Sequence, residues 1–115
     1  LIAIVKCTYR NNLIKIVFVC TIMFVKIIFD PTKDAVNIAK HGVSMALADQ
    51  FEWDAAVIWI DDRKDYGEPR MCGLVPLDER LFFVAFVDRA DGRRVISLRK
   101  ANNREKRHYA KVFDD

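Results

Sequence analysis

The chain has 115 residues, 52% of them hydrophobic, and a formal charge of +3. That length holds one domain with a real core and leaves no room for two. Its three cysteines, Cys7, Cys20 and Cys72, lack CxxC spacing, which argues against a disulfide scaffold or a thiolate zinc site and favours a reducing, cytoplasmic setting.

The charge is unevenly spread. Lys6, Arg10 and Lys15 supply the surplus, and no acid offsets them in the first 22 residues. Residues 23–62 then hold three basic and seven acidic side chains, whereas residues 63–115 hold thirteen and nine. Between residues 93 and 111, Arg93, Arg94, Arg99, Lys100, Arg104, Lys106, Arg107 and Lys111 face a single acid, Glu105. Such a density suits a polyanion such as RNA, and it equally suits a solvated helix face.

Residues 1–22 read LIAIVKCTYRNNLIKIVFVCTI, strongly apolar and without globular patterning, and are expected to be an extension outside the domain formed by residues 23–115. The uncharged run at 16–25 spans ten residues, against about 20 needed to cross a bilayer. No small-x-small cleavage site follows it, so neither a membrane span nor a signal peptide is expected.

From residue 24 the pattern becomes regular. Residues 24–29 are β-branched and aromatic enough for a strand, and Asp30-Pro31 supplies an N-cap followed by proline at the first helical position. The spacing predicts a helix to His41 that buries Ala35, Ile38 and Ala39 and ends at Gly42. Ser44 then caps a short second helix through Phe51. Strands follow at 56–60, 71–75, 81–87 and 93–98, with turns at 77–80 and 91–92, which implies an antiparallel meander. A last helix over 102–113 turns Tyr109, Val112 and Phe113 to the sheet and its basic residues to solvent. The fold class is therefore α+β: an antiparallel meander packed with N-terminal helices and a basic C-terminal helix.

Three segments carry chemistry. In residues 30–43, Lys33, Asn37 and His41 recur at four-residue intervals, so they form one helix stripe that could bind phosphate or move a proton. The plainer reading is an exposed polar face, with the His41 cation favoured near the helix C-terminus. Residues 62–70, DRKDYGEPR, form a loop between strands. There Arg63 and Arg70 could grip phosphates, Glu68 act as a base, and Tyr66 stack on a nucleobase or donate a proton; a hairpin whose charges pair only with one another is the alternative. In residues 96–101, ISLRKA, alternation from Ile96 and Leu98 sets Ser97 and Arg99 on the opposite face from Lys100. No phosphate-binding glycine loop and no HExxH is present, His41 and His108 are too few for a histidine-rich metal centre, and no cofactor or metal is expected. Cys72, in an apolar strand, reads as a core residue and not as a nucleophile paired with His41.

The segments FDPTK, NIAKHGV, DRKDYGE and ISLRKA followed by REKRHY, in this order and spacing, resemble the BrnT family across residues 23–113. Family members often carry Trp before the Asp-Pro and Phe after Gly-Val-Ser, where this chain has Phe29 and Met45, both still apolar. The resemblance implies a RelE-like fold and a growth-inhibiting ribonuclease of a type II toxin–antitoxin pair. It implies a cognate BrnA-like ribbon-helix-helix antitoxin, with operator DNA bound only through that partner, and RNA as substrate, on or off the ribosome. Metal-free cleavage would take His41 or Glu68 as base, Arg63, Arg70 and Arg99 as phosphate-stabilising cations, and Tyr66 or His41 as acid or stacking group. Lys33, Lys100, Arg104 and Arg107 would contact the RNA backbone. The rival class is a non-catalytic basic module that binds nucleic acid or protein as a co-repressor.

Overall fold

A computed structural model of the chain describes residues 5–9, 12–16, 25–63 and 65–114. In chain order the elements are strands β1 (Val5–Tyr9), β2 (Asn12–Ile16) and β3 (Ile27–Ile28), then helix α1 (Pro31–His41). Two short 3-10 helices follow, Met45–Gln50 and Trp53–Ala55. The chain continues through β4 (Val57–Ile60), β5 (Met71–Leu77), β6 (Arg80–Arg89), β7 (Gly92–Lys100) and helix α2 (Asn103–Asp114). The architecture is α+β.

The strands join into one sheet in the order β2-β1-β4-β5-β6-β7-β3. β4 to β7 form the expected antiparallel meander, with two-residue turns joining Leu77 to Arg80 and Arg89 to Gly92. The whole sheet, however, is mixed: β3 pairs with β7, and β1 with β4, in parallel. Parallel pairing requires a long crossover, and the chain between β3 and the meander, through α1 and the 3-10 helices, supplies one. Of residues 1–22, β1 and β2 are the parts described. β3 is shorter than the expected strand, since it pairs with β7 only at Ile27 and Ile28, and the Asp30 carboxylate, accepting from Thr32 N, starts α1 soon after; Phe24 lies outside the described residues. Gly92 lets β3 approach β7 closely, since a Cβ there would stand 2.7 Å from the Lys26 carbonyl oxygen.

One sheet face carries Ile58, Val75, Phe82, Val84, Phe86, Val95 and Leu98 and packs beneath Met45, Ala48 and Phe51 as the core. The opposite face carries Trp59, Cys72, Phe83 and Ala85, and α2 lies against part of it: Trp59 meets His108 edge-on and Tyr109 Oη donates to the Ala55 carbonyl at 2.8 Å.

α1 does not pack as the periodicity predicts. Ala35, Ile38 and Ala39 are exposed, with Ile38 at 45%, and the buried residues are Asp34 and Asn37. The cause is what the helix docks against. β3 pairs with β7 only at Arg93 and Arg94, leaving Leu98 farther along that edge. The Asn37 amide occupies it: Leu98 N donates to Asn37 Oδ1 at 3.2 Å, and Asn37 Nδ2 donates to the carbonyls of Leu98 and Val43 at 2.8 and 2.9 Å. Asp34 accepts from Ser44 Oγ and Met45 N. Buried backbone groups need partners, so an open strand edge selects a polar helix face. Asn37 is therefore a strut, and the Lys33–Asn37–His41 stripe is not a continuous solvent-facing surface.

α2 buries Val112 and half-buries Tyr109, but Phe113, expected to be turned inward, is exposed and packs on Tyr109, with ring centroids 4.7 Å apart. Asn102 and Glu105 exchange side-chain-to-backbone hydrogen bonds of 2.8 and 2.9 Å, a reciprocal cap that fixes where α2 begins.

Candidate functional site

Residues 61–70 gather around one carboxylate. Asp61 continues the β4–β5 ladder, its N–H donating to the Arg70 carbonyl at 2.8 Å, and this turns its side chain inward to 2% exposure. Arg63 Nε and Nη2 donate to its two oxygens at 2.8 and 2.9 Å, and Tyr66 Oη donates to Oδ2 at 3.1 Å. Arg70 Nε stands 3.8 Å from the same oxygen, and its guanidinium lies 4.5 Å above the Tyr66 ring centroid. The Arg63 hydrogen bonds hold the Asp61 carboxyl well below the usual carboxylate range, against the opposing effect of burial. The same pair pushes Arg63 further up. Arg63 is spent on Asp61, yet its side chain remains 74% exposed.

Arg70 differs. Its Nε is buried and makes no hydrogen bond, a costly state for a charged donor. The guanidinium is stacked on Tyr66, with its Nε turned inward toward Asp61.

Glu68 pairs bidentately with Arg89 of β6, at 3.1 and 2.8 Å, which holds its carboxyl below its ordinary range. It is therefore ionised at neutral pH and engaged. Arg99 forms a third centre. Its two Nη donate to the Glu105 carboxylate at 2.8 and 2.9 Å, and the guanidinium lies 4.3 Å above the Phe83 ring. Burial pushes Glu105 up, but its hydrogen bonds from Arg99 and Asn102 N outweigh that and leave it lowered. Burial, and secondarily Asp61, raise the Cys72 thiol to about 11, so it is a protonated core group at neutral pH.

The structure thus brings Arg63, Tyr66 and Arg70 together, with Glu68 beside them on the same loop. It does not bring His41, which ends the helix docked at the β7 edge, two strands away from β5. Arg99 pairs with Phe83, and Phe83 and Val87 are four residues apart on β6, so Arg99 stands about 13 Å along the sheet from the Val87 row. Lys33 is exposed on α1, Lys100 at the end of β7, and Arg104 and Arg107 on α2. Sequence reasoning missed Asp61, the organiser of the cluster, whose signal was a carboxylate directly after the apolar strand VIWI. It also missed Arg89 and Glu105, partners that only the fold supplies.

The family model for the ribonuclease toxin BrnT of type II toxin–antitoxin systems matches residues 29–105, well over half of the chain. The chain belongs to this family. The matched BrnT region runs from the residue before the Asp30 cap through α1, the Asp61 cluster, the meander and the α2 cap, so it contains every centre described above. No curated protein sequence matches the chain. Among the described residues no helix is long and apolar enough to cross a membrane.

Proposed function

We propose that this BrnT-family chain is a cytoplasmic endoribonuclease that cleaves RNA, arrests translation and growth, and is neutralised by a cognate BrnA-like ribbon-helix-helix antitoxin, through which alone it reaches operator DNA. The observation that carries this reading is Arg70: a half-buried guanidinium, stacked on Tyr66 and steered by Asp61, with Nε unbonded. With Nε held inward, the outer Nη groups are the donors that can meet a phosphate oxygen pair.

In this reading the 2′-hydroxyl attacks the adjacent phosphorus, the five-coordinate phosphorane gains charge, and the 5′-oxygen leaves. A 2′,3′-cyclic phosphate and a 5′-hydroxyl result. Arg70 and the exposed Nη1 side of Arg63, whose Nε and Nη2 stay on Asp61, stabilise the phosphorane, so the charge stabilisation comes from guanidinium groups. Glu68 takes the 2′-hydroxyl proton once RNA loosens its pair with Arg89, and Tyr66 stacks on a base or protonates the leaving oxygen. Arg99 contacts a phosphate farther along the strand. Lys100, Arg104 and Arg107, with the basic outer side of α2, guide the RNA, and Lys33 adds an outlying contact. We read the fold as RelE-like.

The test is induced expression of the chain, alone and with its neighbouring gene, while total RNA is followed and the purified protein is assayed on RNA with and without chelator. Arrest with RNA loss, 2′,3′-cyclic phosphate ends, chelator resistance and relief by the neighbour are expected. Arg99→Ala should weaken RNA binding in a folded domain, and unchanged affinity and cleavage in that variant remove Arg99 from the scheme. Growth arrest that persists when Arg63, Arg70 and Arg99 are all neutralised, in a folded protein with intact RNA, would support the co-repressor module instead.

A further inference from the structure

We propose that Arg94 of β7 is a second phosphate-binding residue, closing with Arg70 on one phosphodiester held over Val87; this rests on the ribonuclease reading and names a contact for the same site. The placement follows from strand register. Asp61 hydrogen-bonds across to Arg70, Met71 pairs with Phe86, and Val87 pairs with Arg94, so Arg70, Val87 and Arg94 form a row across three adjacent strands. Residues two strands apart in one row have Cα atoms about 10 Å apart. Arg70 is steered toward Asp61 on the β4 side, so one phosphate would be met by its outer Nη groups and by an Arg94 side chain leaning over the valine from the other side.

That Arg94 faces this way depends on an irregularity. Strict alternation puts residues 94 and 99 on opposite faces. The ladder, however, pairs Ala85 with Ser97 and Phe86 with Val95, which leaves Ile96 as the extra residue of a bulge. The bulge brings Arg94, Ser97 and Arg99 onto the face of Val87, Ala85 and Phe83. Arg93 is sent the other way, where its guanidinium lies over Phe86 and Trp53 and pairs with Asp88. Adjacent arginines thus divide: Arg93 closes the core, and Arg94 joins the Arg70 row. Glu68, the base in the proposed reaction, interacts electrostatically with Arg94 and pairs with Arg89 at the end of the same face. Among the described residues the Arg94 side chain, like that of Arg70, donates no hydrogen bond.

The experiment uses the full chain with ¹⁵N-labelled arginine side chains and a dinucleoside monophosphate that cannot be cut, because its 2′-hydroxyl is methylated. The Nε–H resonances of Arg70 and Arg94 are expected to move together with one dissociation constant. Arg94→Gln and Arg70→Gln should each weaken binding about tenfold or more, Arg94→Lys should recover part of the loss, and Arg80→Gln, which removes the same charge at the β5–β6 turn, should change little. Movement of the Arg70 resonance alone, no binding of the probe, or an Arg94→Gln variant that binds and cuts RNA like Arg80→Gln overturns the clamp and leaves the nuclease reading standing. Coupled movement in a protein that cuts no RNA supports the clamp and removes the nuclease. Backbone amide dispersion in Arg94→Gln and Arg94→Lys separates lost binding from lost folding.

Discussion

Two arginine–carboxylate centres share one face of the sheet, and they are built for opposite ends. At Asp61 the carboxylate is buried, Arg63 satisfies it from solvent, and Arg70 is left over with a buried, unbonded Nε. At Arg99 the account balances: one guanidinium meets one carboxylate, and that carboxylate also caps α2. The first arrangement holds cationic capacity in reserve at a cost in desolvation. The second spends it on joining a helix to a strand. An arginine's partner count therefore says more about its availability than its exposure does.

The largest expected effect tests the reserve. Arg70→Gln removes the fork but keeps a side chain of similar length over Tyr66, and it should lower RNA cleavage by about 100-fold or more, as loss of one transition-state donor does. Its stability should fall by no more than about 1 kcal/mol, because the native Nε makes no hydrogen bond and its ion pair with Asp61 is a long one, 3.8 Å. A large drop in melting temperature with normal cleavage would reverse the roles assigned to the two centres.

The Arg99 centre sits next to Leu98, whose open backbone edge Asn37 satisfies. Asn37→Leu orphans Leu98 N, Leu98 O and Val43 O, a loss of about 3 kcal/mol at 1–3 kcal/mol for each buried group, with partial relief from water. Thermal unfolding checks it, and a shift below about 5 °C would mean that the edge finds other partners.

These residues show how far the sequence could be read. The helix caps at Asp30, Gly42 and Ser44, the meander and its turns, and the start of α2 were legible because each rests on local chemistry. The inward side of α1 was not, because periodicity assumes an apolar surface to dock on, whereas α1 docks on a strand edge. The loop at 62–70 announced itself by composition, but its organiser, Asp61, lies just before that loop, and Arg89 and Glu105 became visible as partners only through strand pairing. A bulge at Ile96 cannot be counted from alternation, and it decides which of Arg93 and Arg94 faces the site.

Asp61→Asn should cost about 2 kcal/mol, less than a fully buried pair, because Arg63 stays hydrated when released. The pH dependence gives a sharper reading. The folded Asp61 carboxyl is depressed below its unfolded value of about 3.9, so its contribution is complete above that value and is lost as pH falls through the ordinary carboxylate range into strong acid. Denaturant melts at pH 7 and pH 3 should therefore converge between wild type and Asp61→Asn. A gap that stays constant with pH would mean that the asparagine fails for shape and not for charge.

The smallest effect separates a strut from a held-back cation at Arg99. Glu105→Gln can still accept from Asn102 N, so α2 keeps its start, and the lost ion-pair charge should cost under about 1 kcal/mol. What changes is Arg99, which then has no carboxylate to neutralise it. If it reaches a phosphate in the complex, the dependence of RNA affinity on salt should steepen by about 0.7 in log–log slope, one more neutralised phosphate on a single strand. An unchanged slope would show that Phe83 and the strand hold Arg99 in place regardless of its partner, and the RNA contacts would then belong to the row that holds Arg70.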